Sequence, residues 1–199
     1  MTNATRDAGN RRQALRRLAT AMCAGVAAPV IAQDKARALR EMQIHRVEAL
    51  GLEIWVENQP PWETQLIQGK SLPVFAAQSP DHYHPPSVMT WVSHARAQSP
   101  GELFPAMALG AIRAAAQNYG APKAVWRALS PVEARHGLLQ GFEATFAGKA
   151  QGDAVDVRVF IGQSPGRFPV AMQAYTLRGK LDHLDEPIRR SWGKVKYLG

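Results

Sequence analysis

The chain has 199 residues, a formal net charge of +8 and a single cysteine, Cys23. Its length suits one domain with a sizeable core, and one cysteine excludes an internal disulfide. Five arginines and one aspartate fall within residues 1–32, so the remainder carries only +4, spread along the chain. That excludes the dense basic patch of a nucleic-acid binder.

Residues 1–32 read as an export signal. Arg6, Arg11, Arg12, Arg16 and Arg17 form a basic head. Leu18 to Ala32 is uncharged and about 15 residues long, short of the roughly 20 needed to span a bilayer. Val30-Ile31-Ala32 fits the shallow pockets of signal peptidase and places the cut before Gln33. Asn10-Arg11-Arg12-Gln13-Ala14-Leu15-Arg16 resembles the twin-arginine export pattern, with Ala14 where an aromatic is usual. The resemblance implies a periplasmic location. Cys23 leaves with the signal, so the mature chain, 33–199, is expected to lack thiolate metal sites and cysteine nucleophiles. It also holds no stretch long and apolar enough to be a transmembrane segment.

Asp34 to Ile44 is charged and reads as a short helix or loose arm. Gly51 to Glu57 is expected as a strand, because Leu52, Ile54 and Val56 alternate with Glu53, Trp55 and Glu57. Asn58-Gln59-Pro60-Pro61 ends it, since proline cannot donate to a ladder. Leu72–Ala77 and Val88–Val92 are further strands around a rigid polar loop, residues 79–86. A helix is expected over Pro100–Tyr119, with Ser99 as N-cap, Glu102 completing a capping box, and Gly120 and Pro122 as stop signals. Leu103, Met107 and Ala111, flanked by Phe104, Ala108 and Ile112, form its apolar face.

Ala124–Ala128 reads as a short strand. Leu138–Phe146 and Asp153–Gly162 read as a hairpin joined by residues 147–152, and Pro169–Leu177 as a returning strand. A helix over Glu186–Lys196 follows, capped by Asp185, with Ile188, Trp192 and Val195 as its buried stripe. The order implies an α+β fold in which an antiparallel sheet is flanked by helices.

This order resembles the PsbP-like superfamily, including its DcrB/LpqN-type and Ran-binding Mog-type domains. The carriers are a first strand running into a Pro-Trp turn (GLEIWVENQPPW, 51–62), strands around the Pro-rich loop, a central capped helix, and a hairpin, strand and C-terminal helix with Trp192. The resemblance covers most of 45–199. It implies a PsbP-like α/β/α sandwich and a binding or assembly role, with no catalytic residues to carry over.

Two constellations remain. His82 and His84 flank Tyr83 in the loop, and His94 follows the next strand. Such an H-x-H pair can present two imidazoles to copper or zinc, with His94 or Asp81 as a third ligand; the plainer reading is a polar loop that contains histidines. His45, His136 and His183 read as scattered surface or cap residues. Trp55, Trp62, Trp91, Trp126 and Trp192 are core or rim residues, unless Trp55 and Trp62 are exposed and, with Tyr83, mark a partner-binding surface. The methionines are scattered and read as core filling. No G-x-S-x-G elbow is present, and Glu53, Glu57, Glu63 and Glu143 stand singly. The expected function is therefore non-catalytic: an exported accessory protein recognising another periplasmic or envelope protein, or a small ligand. The alternative is a metal-binding protein that uses the histidine loop.

Overall fold

The computed structural model describes residues 41–68, 72–93 and 98–199. The expected export signal, Cys23, most of the charged 34–44 segment and His94 lie outside the described residues. The fold is α+β, built on two antiparallel sheets.

The smaller sheet joins β1 (Met42–Val47), β2 (Leu52–Glu57) and β10 (Lys196–Tyr197) in the order β1-β2-β10. Of the described end of the 34–44 segment, Met42–Ile44 is strand rather than helix or arm, and Glu41 before it is helical. Backbone pairing from Met42↔Glu57 to Val47↔Leu52 supplies the order that local composition lacked. Ser93 Oγ donates to Leu50 O and ties this hairpin to the larger sheet.

The larger sheet holds β3 (Glu63–Ile67), β4 (Val74–Gln78), β5 (Ser87–Ser93), β6 (Val132–His136), β7 (Leu139–Ala150), β8 (Asp153–Gln163) and β9 (Val170–Leu177). Their order is β3-β4-β5-β9-β8-β7-β6, so β3 and β6 are its edges. The β7–β8 connection is tighter than the expected six-residue loop. Only Gln151 and Gly152 turn the chain, with φ of 53° and 98°. Two successive positive φ values make the primed turn whose twist matches the flanking strands.

Side chains along β8 divide the core in two. Val155, Val157, Val159 and Ile161 face α1 (Phe104–Asn118), and Phe160 faces the opposite side. Helix α1 lies over β7 and β8. Its buried stripe is Phe104, Ala108, Ile112, Ala115 and Ala116, one position later than expected, while Leu103 is 72% exposed. The helix begins as a tighter turn over Gly101–Leu103, which shifts the phase of its faces. Ser99 Oγ reaches the Gly101 amide at only 3.5 Å, too long to serve as a strong cap. At the other end, Lys149 N donates to Tyr119 O at 2.7 Å and pins the helix to β7.

Residues Lys123–Ala128 form a short helix, α2, rather than the expected strand. Pro122 O accepts from Val125 N and Trp126 N and starts its first turn, and Arg113 of α1 reaches Arg127 O at 3.3 Å. The second face of the large sheet carries the small sheet together with α3 (Asp185–Trp192). Ile188, Trp192 and Val195 are buried there as expected, beside Trp91, Met172 and Phe160. Asp185 makes no capping bond; its carboxylate meets Arg158 at 2.8 Å instead.

Candidate functional site

The aromatic trio is only partly at the surface. Trp62 is 3% exposed and belongs to the core. Trp62 N donates to Glu57 O at 3.1 Å, folding the Pro-Pro turn back so that the indole lies beneath it. Tyr83 rests edge-on against this ring at 5.8 Å and is half-buried. Burial pushes its phenol pKa up, and the Glu57 carboxylate adds to the shift. Trp55 is half-buried on β2. Its Nε1 donates to Glu53 at 3.1 Å, and the ammonium groups of Lys194 and Lys196 stand 4.6 Å and 5.9 Å from its ring. The chain's own cations thus occupy much of the Trp55 face.

His82 and His84 are exposed on the Pro-rich loop. The base of the loop is fixed by bonds between Ser79 and Ser87 at 2.9 Å and from Thr176 Oγ1 to Pro86 O at 2.7 Å. Among the described residues no three of His, Cys, Asp or Glu gather as a metal site. His94, the third expected ligand, lies outside those residues.

Four polar residues read as isolated in the sequence, His136, Glu143, His45 and Glu57, are joined to the fold. His136 Nε2 lies 2.8 Å from Glu143 Oε2, with its ring against Phe160 and Trp192 at centroid distances of 4.7 Å and 5.2 Å. Arg158 links this pair to Asp185, standing 3.8 Å from Glu143, longer than a hydrogen bond. His45 lies 5.1 Å from Phe75, and burial lowers its pKa. Glu57 is buried, with Arg190 Nε at 3.3 Å. Burial raises its pKa above the usual carboxylate value; Arg190 opposes this, while Glu186 and Glu41 add to it. These contacts join residues on different elements, from the neighbouring strands of His136 and Glu143 to the far-separated Glu57 and Arg190, so spacing along the chain could not show them.

A groove of about 570 Å³ opens where the start of α1 meets the β6 edge. Phe104, Pro105, Phe142 and Pro165 make its apolar wall. Gln140 and Gln163 add amides, and Glu133 and Arg135 add one charge of each sign. Among the described residues Gln163 Oε1 is buried with no hydrogen-bond partner, so it is the rest of this side chain that the groove exposes. The lining supplies recognition groups rather than a nucleophile beside a base. Sequence reasoning missed the groove because its walls come from residues 104–105, 133–142 and 163–165.

No family model matches the chain, and no curated protein matches it. A solved crystal structure from Bacteroides thetaiotaomicron is similar in fold, with a TM-score of 0.51 at 9% identity. The match covers 79% of this chain and 48% of that one, so this chain spans about half the length of that protein. At this identity the likeness speaks to fold alone.

Proposed function

We propose that the chain is an exported, non-catalytic binding or accessory protein of the PsbP-like kind, acting in the periplasm on a partner protein or small ligand. The observation that carries this reading is the groove at the start of α1. It combines an apolar wall, two amides, one acid and one base in one open cleft. An open cleft of this composition favours recognition by shape and hydrogen bonding. The export half of the reading rests on the basic, apolar and small-residue zones of residues 1–32.

The test places a photo-crosslinking side chain at Pro105, on the groove wall, and separately at Lys180 as a control, in cells expressing the full chain. A discrete envelope adduct from Pro105, absent from Lys180 and lost on Gln163→Ala, is expected. Mass analysis of the same material should show a chain that begins at Gln33. Identical adducts from both positions, or none from Pro105, would overturn the binding reading. An uncut chain retained in the cytoplasm would overturn export.

A further inference from the structure

The β6 edge of the large sheet has a sequence property that the opposite edge lacks. Read about Ala134, the strand Val132-Glu133-Ala134-Arg135-His136 places an acid one residue before its centre and a base one residue after. An antiparallel copy centred on the same alanine would set each Glu133 opposite an Arg135. The β3 edge, Glu63-Thr64-Gln65-Leu66-Ile67, has a single charge and no such symmetry.

The backbone agrees with this pairing. Strands β6 and β7 are joined by Gly137 and Leu138 alone, with His136 paired to Leu139 and Gly137 at φ 59°. In a two-residue hairpin the closing pair is hydrogen-bonded, and bonded and non-bonded pairs then alternate along the ladder. His136, Ala134 and Val132 therefore turn their N–H and C=O groups toward β7. Glu133 and Arg135 turn theirs outward, to the open edge. These are the two residues that an Ala134-centred pairing requires to exchange hydrogen bonds. Both side chains also line the groove, so they share one face of the sheet. Among the described residues no cation meets Glu133, while Arg135 Nε donates to Gly137 O at 3.0 Å. Val132 is 63% exposed and Leu138 60% exposed, so this edge also has apolar surface to cover.

We infer that the β6 edge pairs with the β6 edge of a second copy of this chain, antiparallel about a two-fold axis at Ala134. The occupant follows from charge complementarity: each Glu133 faces the partner's Arg135 across the new ladder, a cross-strand pairing that stabilises sheets where like charges would oppose it. An unpaired edge is a ready template for such addition. The axis stands perpendicular to the sheet, so the two grooves open on the same side of one continuous sheet. The inference concerns the edge and not what the groove takes, so it stands or falls apart from the binding role.

The test is sedimentation velocity on the full-length chain across about 1–200 µM, a range suited to a small edge-to-edge interface. Wild type is expected to form a reversible dimer. Glu133→Arg and Arg135→Glu should each weaken it by about tenfold or more. An equimolar mixture of these two variants should associate, because the reversed charges then complement each other. The double exchange, Glu133→Arg with Arg135→Glu, should dimerise like wild type. As a second measurement, Ala134→Cys in a Cys23→Ser background should crosslink to itself on mild oxidation. Non-bonded antiparallel pairs stand about 4.5 Å apart at Cα, within disulfide reach. Val132→Cys in that background should not crosslink, since its partner would be His136. A wild-type monomer throughout the range, a dimer indifferent to both single variants, or a mixture that fails to associate would overturn the inference.

Discussion

His136 and Glu143 meet at 2.8 Å although neither is the other's partner in the β6–β7 ladder, where His136 pairs with Leu139 and Glu143 with Val132. Both side chains are largely covered, at 16% and 19% exposure. The contact reaches along the hairpin, and Arg158 extends it to Asp185 at the start of α3. Removing one partner leaves the other largely covered and short of a bond. Glu143→Ala and His136→Ala should each cost about 1–3 kcal/mol. The histidine variant should lose more, because its ring also packs on Phe160 and Trp192. A double-mutant cycle read by urea unfolding should give a coupling of about 0.5–3 kcal/mol. Additive single effects would show that the pair contributes nothing of its own.

The buried Glu57 makes a prediction with a definite sign. Burial raises its folded-state pKa above the unfolded value, despite Arg190 beside it. The folded chain therefore holds a proton that the unfolded chain has released, between those two values. At pH above the folded value, the charged group counts against folding. That penalty is relieved as pH falls through the folded pKa toward the ordinary glutamate value. Glu57→Gln should therefore melt higher than wild type at neutral pH, by about 2–4 °C for each kcal/mol recovered. The gap should close as pH falls through that window. A variant that melts lower at neutral pH would show that Arg190 outweighs burial.

Gly137 is placed where no other residue fits easily. Its φ is 59°, and a Cβ built there would stand 2.3 Å from Gly193 O, just after α3. The β6–β7 turn and the end of the C-terminal helix thus touch backbone to backbone. Gly137→Ala would force both a left-handed alanine and a steric displacement, at a cost of about 1–3 kcal/mol from the backbone alone. Gly166→Ala is the control. It has a φ of 70° but open space around the added carbon, so it should cost less. Equal losses in chemical denaturation would mean that the contact with Gly193 yields freely.

What the sequence revealed followed from regular alternation and strong punctuation. Strand β8 was legible because Val155, Val157, Val159 and Ile161 repeat every second residue, and α1 stopped where Gly120 and Pro122 require. Edge strands β3 and β6 escaped because neither has an apolar face to bury; their burial patterns are mostly exposed. Lys123–Ala128 has no periodicity long enough to separate helix from strand, and the Pro122 carbonyl decides it. The groove and the His136–Glu143–Arg158–Asp185 chain depend on strand order, which a single sequence does not expose.

The tryptophans offer a test of the surface as a whole. Trp62, Trp91 and Trp192 are at most 3% exposed, while Trp55 and Trp126 are half-buried. Each of those two has a cation over its ring: Lys194 at 4.6 Å from Trp55 and Arg127 at 5.5 Å from Trp126. Acrylamide should therefore quench two classes of emission, and Trp55→Phe with Trp126→Phe should abolish the accessible class without changing the fold. Trp62→Phe should leave that class intact but lower stability, by about 1–3 kcal/mol, because it leaves a gap in a close-packed core. If Trp62→Phe instead removed accessible emission, its indole would lie at the surface, and the turn at Pro60-Pro61 would present an aromatic anchor to a partner after all.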